Sequence, residues 1–134
     1  MILVDTSAWV EFDRATNSPT DKTLSRLIAS GGSDLAGTEP ILMEILAGAK
    51  DETRHDDLRR LLTSFAWIPC DPVADFDGAA RVYRACRSAG VTPRGLIDCM
   101  IFSIAMRSGS TLLTADRDFD QIARILPLRI EPLG

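Results

Sequence analysis

The chain has 134 residues, 46% of them hydrophobic and 25% charged, with 15 basic against 19 acidic side chains and a formal net charge of −4. That size and balance suit one packed domain and speak against a protein that coats nucleic acid by charge alone. No run of ~18 apolar residues is present to span a bilayer, and "MILVDTSAWV" lacks the basic region and cleavage site of a secretory leader, so a cytoplasmic protein is expected.

"ILV" at 2–4 is a short β-branched strand. It ends on Asp5, Thr6 and Ser7, residue types that cap helices, so a helix follows. In "NSPTDKTLSRLIASGG", Ser18 caps, Pro19 takes the first helical position, Leu24, Leu27 and Ile28 form a stripe, and Gly31 stops the helix. "DLA" at 34–36 reads as a strand. Thr38 opens a helix through Ile41, Leu42, Ile45 and Leu46 to Gly48. "DETRHDDLRRLLTSF" is a charged helix with a narrow stripe at Leu58, Leu61, Leu62 and Phe65. "AWIPC" at 66–70 is a short strand. Asp71-Pro72 opens a longer helix, with Val73, Phe76, Ala80 and Tyr83 expected inward and Gly90 closing it. Thr92-Pro93 opens the next, which runs through a nearly all-apolar stretch to Met106. "TLLT" at 111–114 is a strand, Asp118 to Ile125 a short helix, and "LRI" at 128–130 a last strand.

Short apolar strands alternating with helices predict an α/β fold: a mostly parallel sheet covered on both faces, an α/β/α sandwich. No linker or repeat interrupts residues 1–134, which are expected to form a single domain. Cys70, Cys86 and Cys99 fit neither a zinc spacing nor a disulfide framework and read as small apolar residues. In such sheets function collects beyond the carboxyl ends of the strands. Asp5 stands there after the first strand, and Asp116 and Asp118 after "TLLT".

Each candidate acid has a structural alternative. Asp5 is either the cap of the next helix or free, because Thr6 and Ser7 could cap in its place. Glu44 has Pro40, Ile41, Ala47 and Gly48 one turn away, with no basic partner on its own helix. It is either exposed on a narrow outer side or functional. Asp98 is the one acid in "LIDCMIFSIAM", and an unpaired buried carboxylate costs several kcal/mol or takes up a proton. It is either paired with Arg94 or a metal ligand on the helix's second turn. In "LLTADRDF", Asp118 serves as the cap, which leaves Asp116 without a structural task. Thr114 has a hydroxyl able to hold a carboxylate or a water. Four acids from separated segments with no lysine or histidine near them would repel one another without a cation. Oxygen-only donors favour Mg²⁺ or Mn²⁺ over zinc, and such a cluster suits phosphodiester cleavage.

"ILVDTSAWVEF", "EPILMEILAGAK" and "RGLIDCMIFSIAMRSGSTLLTADRDFDQIA" resemble the PIN-domain proteins, in particular the VapC-type toxin ribonucleases, over nearly the whole chain. The resemblance implies that Asp5, Glu44, Asp98 and Asp116 are the catalytic and metal-binding quartet, with Asp5 and Asp98 its most consistent ligands. It implies supporting roles for Thr6, Ser7, Thr114 and Asp118. It also implies a parallel sheet of about five strands with helices on both sides. The activity it implies is a Mg²⁺-dependent endoribonuclease, with Mn²⁺ a possible substitute, acting as a toxin. The partners it implies are RNA, a second copy in a homodimer, and an antitoxin whose C-terminal segment occupies the active-site groove. A PIN nuclease with a housekeeping role in RNA processing is the alternative.

Arg81, Arg84 and Arg87 recur on one helix, either as a solvated face or as a phosphate track for RNA. Arg94 could contact RNA or hold Asp98. Trp9 and Phe12 suit a core or a partner contact, and His55 is expected to be exposed. A phospho-receiver domain would need a lysine at a strand end, and Lys22 and Lys50 are both in the wrong context. A phosphoaspartate hydrolase would need an acid where Ser7 stands. A dinucleotide-binding domain would need a glycine-rich turn after the first strand.

Overall fold

The structure, a computed structural model, describes residues 1–134. Strand β1 (Ile2–Val4) lies inside the sheet, between β2 (Leu35–Gly37) and β4 (Thr111–Leu113), and β3 (Ala66–Trp67) completes the order β3-β2-β1-β4. All pairings are parallel, with Val4 opposite Leu113 and Leu3 opposite Ala36. Leu3 and Val4 are fully buried, which is why this strand is apolar on both faces. The expected fifth strand at 128–130 is a single parallel bridge from Ile130 to Leu112, so the sheet has four strands. "AWIPC" pairs only through Trp67, because Pro69 brings no N–H to a ladder.

Seven helices flank the sheet: α1 (Thr6–Asp13), α2 (Pro19–Ala29), α3 (Glu39–Ala47), α4 (Glu52–Thr63), α5 (Pro72–Ser88), α6 (Leu96–Ser108) and α7 (Arg117–Ala123). The chain steps outward from β1 to β2 and β3, then returns to place β4 on the other side of β1. Right-handed crossovers therefore send α1–α4 over one face and α5–α6 over the other. Packing follows that division: α1 lies on α2 and α3, α3 on α4, and α5 on α6, while α3 also meets α6. No helix is long and apolar enough to cross a membrane.

Three local expectations change. The inward stripe of α5 is Asp75, Ala79, Val82 and Cys86. Val73 and Phe76, expected inside, are 83% and 63% exposed. The cause is Asp75, a fully buried acid whose carboxylate accepts from Arg107 Nε (3.0 Å) and Nη2 (2.8 Å), Ser103 Oγ (3.2 Å) and the N–H of Asp71 (2.8 Å). Gly78 permits this contact, since a β-carbon there would lie 2.1 Å from Ser103 Oγ. Next, α6 begins at Leu96 with Gly95 as its cap, not at Thr92-Pro93. Asp98 is therefore in the first turn, where the helix dipole favours an anion, and not in the second. Finally, Leu96, which the apolar run placed in the core, is 59% exposed, while Cys99 to Ala105 are buried.

Candidate active site

The reversal of strand order falls between β1 and β4, which is where parallel sheets open a crevice at their carboxyl ends. Asp5 leaves β1 there, its N–H donating to Leu113 O at 2.9 Å. Asp5 is only 3% exposed. Its Oδ2 accepts from Ser7 Oγ (2.7 Å), Thr114 Oγ1 (3.0 Å) and Ser7 N (3.3 Å). Asp5 thus caps α1 itself, the first of its two alternatives. Ser7 Oγ accepts from the N–H of Ala115 at 2.9 Å, and Thr114 Oγ1 from that of Asp116 at 3.0 Å. Each hydroxyl so passes a backbone donor's polarity on to Asp5, and the β4–α7 turn is tied to the β1–α1 turn. Burial pushes the Asp5 carboxyl above the usual carboxylate range, and the bonds from Ser7 and Thr114 oppose it without cancelling it.

Glu44 is half-buried on α3, and its Oε1 accepts from Thr6 Oγ1 at 2.6 Å. Thr6 and Ser7 therefore serve different acids, one each. Asp116 is the cap of α7, its Oδ1 accepting from Asp118 N at 2.9 Å. The expectation had these two acids reversed. Asp118 lies in the first turn of α7, and Asp120 follows it on the exposed side.

Asp98 is half-buried, and its carboxylate accepts no hydrogen bond. Its carboxyl is pushed up to about 6 by desolvation first, then by the negative charges of Asp5, Glu44 and Asp116, with Arg94 opposing. An ion pair between Asp98 and Arg94 is not formed. Arg94 reaches instead to Asp116 and to Asp118, the latter at 2.6 Å from Nε to Oδ2.

Asp5, Thr6, Ser7, Glu44, Asp98 and Asp116 line one open cleft of about 520 Å³. Arg94 stands at its edge with Gly95, Leu96 and Ile97, three residues that sequence reasoning did not assign to a site. No lysine or histidine lines it. Arg81, Arg84 and Arg87 are exposed on α5 and do not line it. Arg81 pairs with Asp77 at 2.7 Å, and Arg87 stacks over Tyr83. His55 is half-buried rather than exposed and pairs with Asp56. Trp9 is in the core, in edge contact with Phe12 and tilted against Phe65. The three cysteines are free thiols.

Oxygen atoms are the only donors this cleft offers, which fits a hard cation and not zinc. The quartet is not closed into a cage, since the one group of three ligand side chains mutually within 4.8 Å is Glu52, His55 and Asp56, elsewhere. An open set suits Mg²⁺, which keeps several of its waters.

The PIN domain family matches residues 2–125. Ribonuclease VapC11 of Mycobacterium tuberculosis is 46% identical over 129 residues, 96% of either chain. The chain belongs to the VapC ribonucleases of the PIN-domain family. Solved structures with this fold include VapBC2 from Rickettsia felis bound to a promoter DNA fragment, with a TM-score of 0.77, 22% identity and full coverage of both chains. A toxin–antitoxin complex from Klebsiella pneumoniae has a TM-score of 0.69 at 18% identity, over 97% of this chain and 100% of its own.

Proposed function

We propose that this chain hydrolyses RNA phosphodiester bonds at the acidic cleft with Mg²⁺, for which Mn²⁺ can substitute. It acts as the toxin of a toxin–antitoxin pair, and residues 1–134 work as one PIN domain. The observation that carries this is the convergence of carboxylates from four separated segments on one cleft, with Asp98 left without any donor. When bound, the cation supplies Lewis-acid activation of water and neutralises charge at the leaving oxygen.

The chain's own residues do the rest. Asp5 and Asp98 hold the cation, with Glu44 and Asp116 completing the oxygen set. Thr6, Ser7 and Thr114 fix the acids by hydrogen bonds, so little reorganisation is needed when charge develops. Asp118 orients the attacking water. Arg94 meets an RNA phosphate at the cleft mouth, a role its fork of donors suits. Arg81, Arg84 and Arg87 are at most an outlying track for the rest of the RNA.

An apolar groove lined by Trp9, Phe12, Ile45, Leu58 and Leu61 shares Thr6 and Glu44 with the cleft. That continuity supports an antitoxin whose C-terminal segment fills the groove and sends a basic side chain to the acids. The exposed apolar side chains of Met43, Phe76 and Leu96 support self-association as a homodimer.

The test is cleavage of total RNA by the purified chain, with cut sites mapped. Cleavage that requires Mg²⁺ or Mn²⁺ and stops with Asp98→Asn is expected. Cleavage that persists in excess chelator would overturn the metal mechanism.

A further inference from the structure

Arg94 lies in the loop between α5 and α6, one turn before Asp98, yet its guanidinium pairs across the cleft with the start of α7. Nη2 meets Asp116 Oδ2, and Nε meets Asp118 Oδ2 at 2.6 Å. The arginine side chain is 69% exposed and the two carboxylates 18% and 37%, so the cation covers the acids from the solvent side. Both oxygens of Asp116 have a partner, because Oδ1 caps α7 by accepting from Asp118 N while Arg94 holds Oδ2. A divalent cation that recruits Asp116 therefore meets a carboxylate that Arg94 already pairs. Two positive charges drawn to one carboxylate repel each other. Exposed ion pairs contribute little to stability, so structure alone gives this bridge a weak reason to exist.

We propose that Arg94 is the cleft's own counter-cation: it competes with the divalent metal for Asp116 and Asp118, and its pairing sets the metal affinity of the site. This rests on the proposed metal-dependent reading of the same cleft. Asp5 and Asp98 make no contact with Arg94 and give the metal its first ligands. Recruiting Asp116 then expels the guanidinium, and the two events are thermodynamically reciprocal. The expelled guanidinium is available to a phosphate at the cleft mouth.

The test is Mn²⁺ titration by calorimetry on the purified, partner-free chain, with folding of each variant checked by circular dichroism. Arg94→Gln is expected to tighten Mn²⁺ binding about fivefold, the scale of one exposed ion pair. Arg94→Lys, which keeps the charge but not the two-acid fork, is expected to fall between. Arg117→Gln removes the same charge beside Asp116 in the chain and is expected to change affinity less than about twofold. Arg94→Gln binding equal to or weaker than wild type, or no tighter than Arg117→Gln, overturns the competition. If that happens while Asp98→Asn still abolishes binding, the metal site itself survives. Absence of Mn²⁺ binding in wild type overturns both.

Discussion

Two of the places where an acid meets an arginine in this molecule are built in opposite ways. Between α5 and α6, Asp75 is fully buried and takes five hydrogen bonds from Arg107, Ser103 and Asp71. At the ends of β1 and β4, four carboxylates crowd one cleft, the only arginine there is largely exposed, and Asp98 accepts nothing. The electrostatics follow. Burial pushes the Asp75 carboxyl up, but the bonds and charge of Arg107 and the Asp71 N–H outweigh it and hold it below the usual range. Asp98 has no such compensation and goes the other way, to about 6. Asp75 comes with its partners, whereas Asp98 keeps its lone pairs free, as the proposed ligand role requires.

Asp98→Asn is expected to lower RNA cleavage on the order of a thousandfold, measured by single-turnover kinetics. Asp75→Asn, assayed well below its melting temperature, keeps its rate. Stability is expected to show the reverse. Asp75→Ala strands Arg107 beside an emptied polar site and costs about 3 kcal/mol, a fall of roughly 10 °C in Tm. Asp98→Asn without metal is no less stable than wild type, because it relieves repulsion among like charges.

Acid titration sharpens the contrast. Because Asp75 is more acidic in the folded chain, its stabilisation is complete above the unfolded carboxyl value of about 4 and is lost as pH falls through the lower folded value. The urea midpoint of wild type should drop below pH 4 more steeply than that of Asp75→Asn. Equal slopes would remove Asp75 from the account. The smallest effect is expected from Ser7→Ala, which deletes a bond to Asp5 and the acceptor for Ala115 N–H, at about 1 kcal/mol by thermal denaturation.

Much of this is legible in the sequence, and the exceptions have physical reasons. Hydrophobic runs placed the strands, and strand ends placed Asp5 and Asp116 near one another, because a parallel sheet leaves few choices. The stripe of α5 was misread because an acid sits where the period demands an apolar residue, so the pattern shifted to Val73 and Phe76. The spacing Asp75, Ala79, Val82, Cys86 is itself helical. Its partners, Ser103 and Arg107, are spaced by four on α6, and that pair of patterns was the available signal. The exchange of Asp116 and Asp118 had no such signal, since either acid can cap a helix and only the turn geometry decides. The partner of Arg94 was missed for the related reason that chain neighbours suggest Asp98, while the fold brings α7 closer.

The central claim is that Asp98 is left unpaired for a cation while Asp75 is paired for the fold. Thermal denaturation of wild type, Asp98→Asn and Asp75→Asn, each with and without Mn²⁺, tests it most directly. Mn²⁺ is expected to raise Tm in wild type and in Asp75→Asn and much less in Asp98→Asn, with Asp98→Asn at least as stable as wild type when no metal is added. A clearly destabilised Asp98→Asn, together with no effect of Mn²⁺ on wild type, would contradict it.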